Sequence, residues 1–456
     1  MSLHFPETFG DPIPFFRDGV WHIFYLSPRQ HDHEWRHIST RDFLHWETHP
    51  VAIAPGTGTH DPDRDGCWTG SIFEDGGLFH MFYTGYREDR PDMQVICHAT
   101  STDLIHWAKD PANPILRADG VRYDLSDWRD PYVMRVGDQY WMLVTARLRE
   151  GLELRRGCAA LATSPDLKHW ELQPPYWANG LSYSPECLDL FEWQGRYVMI
   201  YSAHVEDNST HFRVAESLAG PWRAPAIDTF DGAHFYAAKT AGDAERRLLF
   251  GWVPRRENES DTGDWYWGGS FALPRELVAL PDGGIGVRCP AEITSVEREA
   301  LPAVAQARYG DWDFEDGWIE AKACNAFAFA TIDGLPDAYL VRAQLSLARG
   351  AREAGFVLHT TPDLRKGYQV RIQPGQISHE RLPRKFWTSP APVRPHKLDL
   401  TQPVEVLIFV EGTLVEVFIG GQVAFATRVY DPTGGSLGLY AQDGCARWEH
   451  VRIERL

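Results

Sequence analysis

The phrase Ser39-Thr40-Arg41-Asp42-Phe43-Leu44-His45-Trp46 returns as Ser101-Thr102-Asp103-Leu104-Ile105-His106-Trp107 and again as Ser164-Pro165-Asp166-Leu167-Lys168-His169-Trp170. A worn fourth copy is Glu216-Ser217-Leu218-Ala219-Gly220-Pro221-Trp222, and the tryptophans lie 61, 63 and 52 residues apart. A second phrase precedes each copy, a turn followed by an alternating aromatic strand. The turns are Asp18-Gly19, Asp75-Gly76-Gly77, Gly137-Asp138 and Gln194-Gly195, and the strands read WHIFYL, LFHMFYTG, QYWMLVTA and RYVMIYSA. Such turns make hairpins, and aromatic and β-branched residues suit pleated strands. Repeats of about 50 to 60 residues with several strands each predict a β-propeller. A fifth unit falls at residues 230–277, where the Ser-x-Asp-Leu phrase is gone, as expected where a ring closes. A β-sandwich with coincidental tryptophan spacing would not repeat two phrases in one order. The repeat tryptophans are read as scaffold between blades.

Working outward, the texture changes after residue 285. Residues 286–300 read as a linker, and residues 301–456 show an alternating meander with turns at Glu411-Gly412 and Gly420-Gly421. The expected fold is therefore all-β, a five-bladed β-propeller over residues 1–285 followed by a C-terminal β-sandwich. The 456 residues carry a net charge of −18, which argues against nucleic acid or an anionic membrane surface as partner. No apolar run reaches the 18 or so residues of a membrane span, and the start resembles no signal peptide. Seven widely spaced cysteines without a CxxC argue against a zinc site or disulfide framework, so they are read as small buried hydrophobes in a reducing, cytoplasmic setting.

In a propeller the innermost strands begin around one central pocket. Blade one opens with Gly10-Asp11-Pro12, blade three with Trp128-Arg129-Asp130-Pro131, and blade four with Pro185-Glu186-Cys187-Leu188-Asp189. Three carboxylates at matched inward positions are costly unless used or paired. Two carboxylates flanking a glycosidic bond are the usual apparatus of glycoside hydrolysis. The alternative for each acid is a turn cap or an arginine partner.

These segments resemble, in order, the motifs of glycoside hydrolase family 32, the β-fructosidases. GDPIPFFRDGVWHIFYL resembles the family's N-D-P-N-G opening, CWTGSIF its W-(S/T)-G-S motif, WRDPYV its R-D-P motif and PECLDLF its E-C-P-D-L-F motif. Gly10 stands where the family has Asn, Ile13-Pro14 replaces Asn-Gly, Leu26 replaces a Gln at the strand end, and Leu188 replaces the Pro of the E-C-P-D-L-F motif. The resemblance implies a retaining glycosidase acting on a terminal β-fructofuranoside, with Asp11 as nucleophile, Glu186 as acid/base and Asp130 as transition-state stabiliser. Glu186 is then expected to have a raised pKa. The resemblance places Trp68, Thr69, Gly70 and Ser71 at the sugar wall and Trp35 at the rim, and Phe235 and Tyr236 sit at a similar inner position of blade five; each either touches sugar or packs. Arg129 either holds Glu186 or Asp130 at the substrate site or serves the surface. His31, His33 and His37 are read as a loop or subsite group, with no metal and no cofactor. The expected partner is a small carbohydrate, and the sequence sets no oligomeric state. Alternatives in play are a fructosyltransferase, another five-bladed furanosidase such as an arabinofuranosidase, and a non-catalytic sugar-binding homologue.

Overall fold

The computed structural model describes residues 3–27, 33–243, 245–383, 392–431 and 434–456. The turn-and-aromatic-strand phrase forms the second strand of each of four blades. Blade one is Pro12–Arg17, Val20–Leu26, Trp35–Thr40 and Glu47–Thr48; blade two is Gly66–Asp75, Leu78–Tyr86, Gln94–Ser101 and Ala108–Lys109. Blade three is Tyr123–Val136, Gln139–Leu148, Gly157–Ser164 and Glu171–Leu172, and blade four is Glu186–Trp193, Arg196–Ala203 and Ser209–Ala215. Blade five takes Tyr236–Gly242, Arg247–Arg256 and Trp265–Phe271, and its outer edge is Thr8–Phe9 from the start of the chain, pairing with Ser270 and Gly269. The ring is thus closed by a strand that leads directly into Gly10 and Asp11.

The repeated phrase is a turn built by its own side chains. Asp42 Oδ1 accepts the backbone N–H groups of Leu44 and His45, Asp103 Oδ1 those of Ile105 and His106, and Asp166 Oδ1 those of Lys168 and His169. The second oxygen of each Asp meets the histidine Nδ1 at 2.8, 2.8 and 2.7 Å. The preceding Thr40, Ser101 or Ser164 hydroxyl accepts the Asp N–H. Phe43, Leu104 and Leu167 sit at φ 61°, 65° and 64°, each buried. Each repeat tryptophan then abuts a ring of the blade before it: Trp107 on Phe24, Trp170 on Phe82, Trp222 on Tyr176, and Trp46 on Phe271 across the closure. Apolar clusters accordingly lie between successive blades.

Two further strands, Arg275–Ala279 and Ile285–Arg288, extend the fifth sheet, and the short helix Ala291–Thr294 follows. The C-terminal region is an antiparallel sheet bent back over its own apolar core. Its long strands Trp318–Ile332 and Ser436–Arg455 run through both halves, with irregular register between Ala323 and Phe327. A second apolar cluster joins blades four, five and one to Phe409, Leu414 and Phe418 of this region. Five cysteines are buried as expected, but Cys324 is exposed and Cys445 half-buried, their sulfurs 3.4 Å apart. The strand bend brings these two together, which spacing in sequence could not show.

Candidate active site

Four innermost strands carry one extra residue at the same level. In blade two Trp68 opposes Thr84 and Gly70 opposes Tyr83, leaving Thr69 unpaired. The same slip lies between Arg129 and Tyr132, between Glu186 and Asp189, and between Tyr236 and Lys239. Asp130, Cys187 and Ala237 at these bulges have φ 55°, 54° and 51°. A bulge re-aims the side chains beside it, and a non-glycine residue held in this left-handed region costs roughly 1–3 kcal/mol. In blade two the strands approach so closely that a Cβ on Gly70 would lie 1.8 Å from the Phe82 carbonyl oxygen.

The bulges and the start of blade one gather Asp11, Thr69, Arg129, Asp130, Glu186 and Tyr236 around one cavity of about 230 Å³, whose other walls are Leu26, His33, Trp68 and Trp267. That is smaller than the ~300–1,000 Å³ of drug-sized clefts and suits a single sugar ring. Asp11 accepts hydrogen bonds from Thr69 Oγ1 at 2.6 Å and Trp252 Nε1 at 3.0 Å. Asp130 Oδ2 accepts the Cys187 N–H at 2.9 Å, and the Asp130 N–H donates to Thr84 Oγ1 at 2.9 Å. Glu186 accepts from Arg129 at 2.7 Å and from the Tyr236 hydroxyl at 2.5 Å, with His204 Nδ1 at 3.4 Å. Arg129 also donates to Asp127 and Ser184. Buried Lys239 donates to the Gly70 carbonyl at 2.6 Å.

These contacts split the acids. Burial pushes the Asp11 carboxyl up, and the Glu186 charge adds to it, against Thr69, Trp252 and Lys239. Burial likewise carries Asp130 up to about 6, although Arg129 opposes it. Glu186 goes the other way. Burial opposes its charge, but Arg129, His204 and Tyr236 outweigh burial and hold it at about 2. The expectation of a raised Glu186 pKa is therefore corrected: Arg129, His204 and Tyr236 hold it below the ordinary carboxylate range. Motif spelling places the acids and the blade-five pattern brings in Tyr236, but His204, 18 residues beyond Glu186, stands in no motif.

Other expected residues divide likewise. Trp68 lines the cavity and stacks on Tyr86 with ring centres 4.2 Å apart. Trp35 is fully buried and is corrected to scaffold: it opens a third strand beneath the site, and its Nε1 donates to the Trp68 carbonyl at 3.0 Å. Ser71 is buried, and its Oγ accepts the Val133 N–H at 3.2 Å, so it ties blade two to blade three instead of facing sugar. Phe235 is buried under the Arg275 guanidinium, 4.3 Å from its ring centre; its neighbour Tyr236 faces the cavity. His33 reaches the cavity, while His37 is buried in blade one against His22; His31 lies outside the described residues. No group of three or more metal-binding side chains occurs among the described residues.

Two family models match separate stretches of the chain. Residues 10–285 match the Glycosyl hydrolases family 32 N-terminal domain, and residues 331–455 match the Glycosyl hydrolases family 32 C terminal. A sucrose-6-phosphate hydrolase from Zymomonas mobilis is 32% identical over 302 residues, 59% of this chain and 57% of that protein. The match thus spans little more than half of that relative's length. Raffinose invertase from Escherichia coli is 27% identical over 457 residues, 94% of this chain and 88% of that one. The crystal structure of fructan 1-exohydrolase IIa from Cichorium intybus superposes with a TM-score of 0.77 at 19% identity, covering 99% of this chain and 96% of that one.

Proposed function

The chain belongs to glycoside hydrolase family 32, and from that premise we propose that it hydrolyses terminal β-fructofuranosides such as sucrose or short fructo-oligosaccharides with retention of configuration. The observation that carries the reading is the cavity holding Asp11, Asp130 and Glu186 together, each fixed by its own donors. The names of the relatives, invertase and sucrose-6-phosphate hydrolase, support the substrate class.

In this mechanism Asp11 attacks the anomeric carbon while Glu186 protonates the leaving oxygen. Glu186 then takes a proton from the water that releases the sugar. Asp130 holds ring hydroxyls and stabilises the oxocarbenium-like transition state. The electrostatics impose a condition. Burial raises Asp11 and Asp130, while Arg129, His204 and Tyr236 lower Glu186, whereas cleavage needs the proton on Glu186. Sugar hydroxyls donating to Asp11 and Asp130 favour their ionised forms, which moves the proton towards Glu186. Thr69 and Trp252 keep the Asp11 carboxylate oriented while this happens.

The test is incubation with sucrose, short fructans and aryl furanosides, following the released anomer by NMR. Wild type is expected to release fructose, first as the β-anomer. Asp11→Ala and Glu186→Gln are each expected to lower kcat by at least about 10²-fold, the lower end of what a positioned acid or base contributes. Absence of free sugar, or release unchanged in Asp11→Ala, would refute the reading.

A further inference from the structure

Position 10 is empty for a reason visible in the packing. A Cβ on Gly10 would lie 2.3 Å from Trp267 Cη2, 2.7 Å from Cζ2 and 2.8 Å from the Leu26 carbonyl oxygen. Gly10 is not among the glycines with positive φ, so its backbone does not demand glycine. The space beside the residue preceding Asp11 is occupied by an indole. Trp267 is 38% exposed, stands edge-on to Trp252 at 6.1 Å and leans on His33 at 4.6 Å. Trp252 in turn donates to Asp11. The cavity is therefore two-sided. Blades two to five supply Thr69, Arg129, Asp130, Glu186 and Tyr236, whereas among the described residues the wall next to Asp11 is Leu26 and the Trp267 ring, edged by His33.

We infer that the Gly10–Trp267 pair determines glycone specificity: it replaces side-chain hydrogen bonding on that edge of the sugar with an apolar wall. The enzyme then accepts furanosides that lack a hydroxyl there. This rests on the furanosidase reading above and narrows its substrate class. The physical ground is asymmetric. A site that hydrogen-bonds a substrate hydroxyl rejects the analogue without it by about 10⁴–10⁵, because its own polar group is left unpaired. An apolar wall leaves nothing unpaired and separates two such substrates by only about 10². Fructofuranose carries two exocyclic hydroxymethyl groups, at either side of the ring oxygen, and only one can meet this wall.

The experiment compares kcat/KM for sucrose with that for its two analogues deoxygenated on the fructosyl unit, at the 1′ and the 6′ position. One analogue is expected within about 100-fold of sucrose and the other to fall by about 10⁴. Losses above about 10³-fold for both would overturn the inference. Trp267→Ala, at a partly exposed position, is expected to raise KM for sucrose and the tolerated analogue alike, about tenfold, with kcat within threefold. An unchanged KM in folded Trp267→Ala overturns the inference. The furanosidase reading fails separately, if folded wild type releases no sugar from any furanoside. Calorimetric titration with fructose and its 1-deoxy and 6-deoxy analogues then decides: comparable binding of fructose and one deoxy sugar supports the wall, and binding of fructose alone or of none overturns it.

Discussion

Tyr236 donates to Glu186 beside Arg129 and His204, and all three favour the ionised carboxylate. Removing one donor has a definite sign. In Tyr236→Phe the Glu186 pKa rises, so the limb of the kcat/KM profile that reports the protonated acid moves to higher pH. A charge-assisted hydrogen bond of about 1.5–3 kcal/mol corresponds to a shift of about one to two units. A profile unmoved from wild type would show that Tyr236 does not set the proton on Glu186. At this scale the three acids were readable in the sequence, whereas the orientation of the groups around them was not. Asp11, Asp130 and Glu186 stand in recognisable motifs. Phe235 and Tyr236 are adjacent, and side chains of adjacent strand residues face opposite ways, so only the register beginning at Tyr236 shows which one reaches the cavity. Trp35 failed for a related reason: opening a strand near the site does not tell whether the ring points above or beneath it.

The blades show how a short phrase repeats without touching substrate. In the three full copies the Asp caps two backbone N–H groups and a histidine, and the tryptophan reaches the previous blade. Asp166→Ala is expected to cost about 1–2 kcal/mol through the lost backbone bonds, lowering Tm with kcat unchanged. Thermal denaturation and a sucrose assay on the same sample would check both. The fold was legible because these turns need particular side chains at fixed offsets. The bulges at Thr69, Asp130, Cys187 and Ala237 carried no such spelling. They are set by cross-strand register, which the alternating pattern conceals.

Across the whole molecule, a buried charged chain fastens the start of the chain to the propeller and the C-terminal sheet. His4 contacts Glu411 at 2.6 Å and Glu416 at 2.8 Å, Glu416 pairs with Arg275, and Arg275 pairs with Asp231 at 2.9 Å. Burial disfavours charged His4, but the two glutamates outweigh it and raise its pKa from 6.5 to about 9. A group whose folded pKa is raised stabilises fully below its unfolded value, and that contribution is lost as pH rises through the folded one. Tm is therefore expected to fall between about pH 6.5 and 9.5, and His4→Gln to flatten that slope; equal slopes in the two proteins would exclude the linkage. Close to this chain lies the strand Thr8–Phe9, whose pairing with Gly269 and Ser270 completes the ring two residues before Asp11. The clasp of the ring and the segment that carries Asp11 into the cavity are one continuous piece. Mild heating that merely unfastens the clasp should silence the enzyme while four blades still give their full β-sheet signal, so activity will be the earlier alarm of the two.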